Sequence, residues 1–181
     1  MLGRAFILHG LNTLLKQDIA AALEVAFSQH GFAESSVAKL QKLSGVSLRT
    51  LYKYYPSKQA MIIAALEYRH NRYINFLLKN APAPGVEAVL HMFDQLKAWM
   101  VQFAPNGCLS INALSAFPED EAISLAVQTH KNDVKKLLGE QGLNSSLASS
   151  LFLLHEGVSS AWPVMGDEAV TSAKNSILKL I

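Results

Sequence analysis

The sequence has one cysteine, Cys108, in 181 residues. That excludes an intramolecular disulfide framework and a multi-cysteine zinc site, and it fits a reducing cytosol. Charge is also scarce. Asp, Glu, Lys and Arg make up 17% of the chain while half of it is hydrophobic, so much apolar surface goes into a partner subunit or a ligand cavity. Long apolar runs are missing: the longest, Ala60 to Leu66, is far too short to span a bilayer. Ala5 to Leu8 after Arg4 has the look of a signal peptide, but His9, Gly10 and Asn12 break it and no small-residue cleavage site follows. Strand-period alternation, internal repeats and low-complexity tracts are absent. So are an ordered nucleophile, base and orienter, a metal-ligand cluster and a cofactor signature, which argues against an enzyme and predicts no cofactor.

What the chain does have is concentrated in Ser36 to Lys58, SVAKLQKLSGVSLRTLYKYYPSK. Ser35 or Ser36 is a good N-cap for a short helix with Val37 and Leu40 inward. Ser44-Gly45-Val46 makes a tight turn, with Gly45 where a left-handed backbone is expected. Ser47 caps a second short helix and Ser57 a third that begins at Lys58. Two short helices joined by a glycine turn form the unit whose second helix enters the major groove of DNA. In that second helix Leu51 and Tyr55 pack inward with Val46, while Leu48, Arg49, Tyr52 and Lys53 face outward. Such a face suits base edges and phosphates. Charge agrees. Residues 1–60 carry seven Lys or Arg against three acids, or +4, and the remainder nine against eleven, or −2.

The segment from Asp18 to Lys58 resembles the N-terminal domain of the TetR family of transcriptional regulators. The matching landmarks are Ala21-Ala22, Phe27, Gly31-Phe32, Ser36-Val37, Gly45-Val46-Ser47, Thr50-Leu51-Tyr52, Tyr55 and Pro56-Ser57-Lys58. Downstream, GCLSINALSAF and LLHEGVSSAW resemble the more variable regulatory half of family members. There are departures. Gln41 stands where Ala is usual, Leu43 and Leu48 replace residues that are more often polar, and Ala38 occupies the place of a common phosphate-contacting Arg. The resemblance implies a DNA-binding transcriptional regulator, commonly a repressor, that binds a palindromic operator as a homodimer and answers to a small, largely apolar effector. It makes Ser36, Ser47, Leu48, Arg49, Thr50, Tyr52, Lys53 and Lys58 the expected DNA contacts.

The rest of the chain reads as helix, about nine in all, giving an all-α fold. Residues 1–60 form an N-terminal extension and DNA-binding domain, and 61–181 a helical regulatory domain. The expected helices cover 16–30, 58–80, 86–103, 109–117, 119–138, 145–162 and 167–181, besides the two short ones. Residues 1–15 read as an extension ahead of the first. The helix over 58–80 spans roughly 30 Å and is a natural lever. Over 86–103, Met92, Phe93, Leu96, Trp99, Met100 and Phe103 line one stripe. At helical spacing such a stripe is more often core; the resemblance makes it the wall of an effector pocket, with Asn112, His130 and His155 as polar contacts. Leu147, Leu151, Leu154, Val158 and Trp162, then Val170, Ala173 and Ile177, form two more stripes, which the resemblance assigns to a dimer interface. Ser149, Ser150, Ser159, Ser160 and Ala161 leave small flanks for close approach on a second side. Cys108, at a helix start, is a candidate redox sensor. The alternative function is a helical small-molecule-binding or interaction protein with weakened DNA binding, for which Gln41 and Ala38 are the support.

Overall fold

The computed structural model describes the backbone of residues 2–181 and the side chains from Asn12 onward. It contains nine α-helices and no strand among the described residues: α1 (Leu2–His30), α2 (Val37–Ser44), α3 (Leu48–Tyr54), α4 (Lys58–Leu78), α5 (Val86–Phe103), α6 (Leu109–Ala116), α7 (Glu121–Gln141), α8 (Ala148–Met165) and α9 (Asp167–Leu180). A single 3-10 turn, Ser145–Leu147, precedes α8. None of these helices is long and apolar enough to cross a membrane. Several boundaries differ from expectation, α7 for one running Glu121–Gln141 rather than 119–138. The first helix begins at Leu2, so the extension continues α1, and α8 runs through Pro163 to Met165. A proline in the last turn removes one hydrogen bond without opening the helix, and Gly166, at φ 53°, provides the stop.

The chain divides into two compact units. The first holds the residues up to His70 with Asn112–Ala126, the second Asn71–Ile111 with Val127–Ile181. The division expected at residue 60 therefore lies inside α4, and the α6–α7 corner belongs with the DNA-binding helices. In the first unit Ile19, Leu23 and Phe27 of α1, Leu40 of α2, Leu51 of α3 and Met61, Ile62 and Leu66 of α4 are all buried. The corner joins them: Ala113 and Ile123 are buried, Phe117 meets Phe32 edge to face, and Gln59 donates to both carboxylate oxygens of Asp120 at 2.9 and 2.8 Å. Asp120 also accepts from the amides of Ala122 and Ile123, capping α7. The Ile123 amide and Gln59 hold its carboxyl below the ordinary value. The second unit packs α5, α8 and α9 around Val89, Met92, Phe93, Leu96, Leu151, Val158, Val170 and Ile177.

One buried ion pair ties α1 to α4. Arg69 donates to Glu24, whose side chain is 4% exposed, and to Ser28 at 3.3 Å. Losing one partner strands the other charge away from water. Glu24→Ala is therefore expected to destabilise the protein by about 3–5 kcal/mol in urea unfolding, while the double change Glu24→Leu with Arg69→Met costs far less.

Candidate nucleic-acid interface and regulatory core

The reading head is built by local rules that the sequence states openly. Ser36 has extended backbone and accepts from the Lys39 amide at 3.3 Å, which starts α2. Gly45, at φ 68°, returns its amide to the Lys42 carbonyl and ends it. Ser47 then accepts from the Thr50 amide at 3.1 Å and starts α3 only three residues after α2 has finished. Gln41, the departure from the family pattern, reaches across this turn and donates to the Val46 carbonyl at 2.5 Å. A larger residue than usual thus acts as a strut between the two helices, satisfying a carbonyl that precedes the α3 cap.

Leu51 is the buried residue of α3, with Tyr55 just beyond its end. The Tyr55 hydroxyl donates to the Lys16 carbonyl at 2.8 Å, and burial pushes its pKa up to about 12, with Glu67 adding to the rise. Tyr54 donates to Asn12, so the segment ahead of the expected first helix touches the end of α3. On the outer side Leu48 is 49% and Tyr52 41% exposed, and Arg49 and Lys53 are exposed too. Leu48, Arg49, Tyr52 and Lys53 therefore share one solvent-facing surface. Other predicted contacts have internal duties. The Thr50 hydroxyl bonds that of Ser47 at 2.8 Å, and Lys58 donates to the Phe32 carbonyl at 2.9 Å, bracing α4 against the end of α1. Ser36 stays exposed as a cap.

In the second unit Met92, Phe93, Leu96, Trp99 and Met100 are buried in the core, with Phe103 partly buried beside them. Trp99 lies 4.9 Å from Tyr73 and 4.8 Å from Phe103, ring to ring, and the Arg72 guanidinium stacks over both Trp99 and Phe103. His130 and His155 are also buried in this unit, whereas Asn112 is exposed and falls in the first.

His155 belongs to a polar chain that sequence reasoning missed. Its Nδ1 lies 3.0 Å from Glu156, its Nε2 meets the Tyr73 hydroxyl, and Glu156 takes Lys131 on both oxygens at 2.8 and 2.7 Å. Lys131 also lies 3.4 Å from the Cys108 sulfur. Burial holds the His155 imidazole below its ordinary 6.5, outweighing the opposite pull of Glu156. A neutral ring donating from Nδ1 to the carboxylate leaves Nε2 to accept from Tyr73. Burial would raise the Glu156 carboxyl, but His155 and Lys131 bring it below normal; burial would lower Lys131, but Cys108 and Glu156 hold it up. Only the His155-Glu156 pair, set in the apolar run FLLHEGV, gave a local hint.

The stripes expected at the dimer interface divide between the core and an open groove. Leu151, Val158, Val170, Ala173 and Ile177 are at most 5% exposed within the single chain. They close its own core, and Leu147, Leu154 and Trp162 are partly buried against it. The apolar surface left outside adjoins those stripes: Leu153 is 69% exposed beside a groove of about 220 Å³ between α8 and α9, and Leu154, Val158 and Ala173 of the expected interface line it together with Leu153, Gly157 and Met165. Of the expected small flank, Ser149 and Ser160 are exposed, Ser150 and Ala161 are half-buried, and Ser159 is buried and donates to the His155 carbonyl at 3.1 Å.

Comparison with known proteins agrees with this architecture. Residues 19–65 match the model of the TetR family of bacterial regulatory proteins. Among solved structures, a TetR-family transcriptional regulator from Streptomyces coelicolor superposes with a TM-score of 0.79 at 16% identity, over 92% of this chain and 89% of that one. E. coli NemR in reduced form gives 0.76 at 20%, over 92% and 97%, and a TetR-family regulator from Agrobacterium tumefaciens gives 0.72 at 14%, over 94% and 98%. No curated protein matches in sequence. At such identities the superpositions establish the fold, and the family model covers the reading head. The protein is an all-helical, DNA-binding transcriptional regulator. Its reading head, residues 19–65, is of the TetR-family type.

The depressed His155 pKa has a consequence for stability. The unfolded state takes up a proton near pH 6.5 and the native state only at lower pH, so stability is complete above 6.5 and falls as pH drops through that value toward the native pKa. Urea midpoints measured between pH 8 and 5 should fall in the wild type and fall less in His155→Gln.

Proposed function

We propose that this protein is a ligand-responsive repressor that binds a near-palindromic operator as a homodimer. The observation that carries the reading is the outer face of α3: an arginine, a lysine, a tyrosine and a leucine left in solvent on a helix whose inner residue is fully buried. Arg49 is the base reader, suited to the two acceptors of a guanine, and Lys53 with Tyr52 serves the backbone. Ser36 and Ser47 offer helix-start amides and hydroxyls to phosphates, Thr50 supports Ser47, and Lys58 has protons left beyond its bond to Phe32.

Two copies meet through the outer faces of α8 and α9. Gly157, Ala161, Ser172 and Ser176 permit close helix approach, and Leu153 supplies the apolar anchor. Two reading heads related by a two-fold axis would fall on successive major grooves about 34–36 Å apart. The effector binds in the α5 region, where Trp99, Phe103 and the methionines supply apolar contact and His155 and His130 polar contact. A ligand preferring the form with wrongly spaced heads weakens operator binding some 5- to 150-fold, by about 1–3 kcal/mol of coupling. The continuous helix α4 carries the movement.

Selection of random duplex DNA by the purified protein, read by sequencing, tests the central claim. A palindromic motif is expected, and Arg49→Ala should blur it at one base pair per half-site and cost about 1–3 kcal/mol. No enrichment at low salt would sink the reading. For the dimer, Leu153→Arg should shift sedimentation toward monomer, while Leu151→Ala, inside the core, should lower stability by about 2–5 kcal/mol without changing the oligomeric state of the folded fraction.

A further inference from the structure

We propose that Leu48 reads the C5-methyl group of a thymine, so that each operator half-site carries a thymine next to the guanine held by Arg49. The inference rests on the operator-binding reading of α3 and adds to it the chemistry of one base. Leu48 is the first residue of α3, and the N-terminal residues of a recognition helix are those that reach base edges. It is 49% exposed, while Leu51, three residues on, is completely buried. On the face that meets DNA, an aliphatic side chain of this size gains most from an apolar counterpart. On the major-groove edges of the four base pairs the thymine methyl is that counterpart; the other groups that distinguish the bases there are hydrogen-bond donors or acceptors, and cytosine has only a hydrogen at the same carbon.

The surroundings of Leu48 leave this turn with little else to offer a base. The Ser47 and Thr50 hydroxyls bond each other at 2.8 Å, and Ser47 also accepts the Thr50 amide at 3.1 Å. The strut from Gln41 to the Val46 carbonyl fixes the chain as it enters Ser47, and with it the direction in which Leu48 leaves the helix start. The other exposed leucine nearby is differently placed. Leu43 lines an apolar groove with Ala21, Ala22, Val25 and Ala26 of α1, and Leu48 is not part of that lining. Leu48 instead shares the outward face of Arg49 and Tyr52. Guanine and thymine edges in adjacent pairs would meet Arg49 and Leu48 together.

The test uses two random duplex libraries, one with thymine and one with uracil in its place throughout, selected by the wild type and by Leu48→Ala. Because Leu48 is half exposed, thermal unfolding of Leu48→Ala should match the wild type, which separates recognition from folding. The wild type is expected to enrich a site with thymine beside the Arg49-dependent guanine. Replacing that thymine by uracil should then weaken binding about fourfold per half-site, the value of one methyl group leaving water. Leu48→Ala should bind both forms alike, and 5-methylcytosine at the same place should recover part of the wild-type affinity. Equal wild-type affinity for thymine and uracil sites, a selected site without thymine there, or discrimination that survives in Leu48→Ala would each overturn the assignment while leaving operator binding intact. No enrichment from either library would overturn operator binding itself, and this inference with it.

Discussion

A helix of seven residues does not hold itself in water, and α3 must in addition keep its outer face bare. Everything in the first unit therefore depends on the burial of Leu51, with Tyr55 just beyond it. Nucleating one turn is unfavourable for so short a segment, and intrinsic propensity cannot make up the difference. The serine caps, the left-handed Gly45 and the Gln41 strut each satisfy backbone groups at the ends of short helices, where such groups are otherwise orphaned. They set the direction of α3; Leu51 keeps it there.

The same division of labour between inner and outer surface runs through the second unit, with a different outcome. Helices α8 and α9 are apolar on more than one side. The bulkier stripes close the core, because large side chains fill irregular interior space best. Outside, Leu153, Val164 and Leu178 stay exposed beside small residues such as Gly157, Ser160 and Ser172. Within that core sits the chain of polar groups from Tyr73 to Cys108, where a neutral histidine and a charged carboxylate-ammonium pair coexist because each is bonded to the next. Such a network rigidifies the interior when complete and makes any side chain or ligand that enters it replace specific bonds.

The reading head was legible from the sequence because its information is local. Ser36, Gly45, Ser47 and Ser57 sit at helix ends whose chemistry is decided within four residues, and the periodicity of Leu40, Leu51 and Tyr55 named the inner face. What escaped was non-local. The inward turn of Leu151, Val158 and Ile177 could not be read from the helix alone, since two apolar faces compete and only the packing of α5 decides between them. Tyr73 and Lys131 stand 82 and 25 positions from the residues they meet. The assignment of Asn112–Ala126 to the first unit depends on Phe117 and Asp120 finding Phe32 and Gln59 across long stretches of chain. Propensity also allowed α8 to stop before Pro163, because it does not register how little a proline costs in a final turn.

Stability and recognition fall on different residues of α3, which bears on how such a protein diverges. Exposed positions tolerate exchange within about 0.5 kcal/mol, whereas the buried position beside them does not. Leu48, Arg49, Tyr52 and Lys53 can thus be replaced one at a time while the domain folds as before, and each replacement alters which DNA is preferred. A duplicate of this gene could drift to a new regulatory target through viable intermediates, with no compensating change in the core.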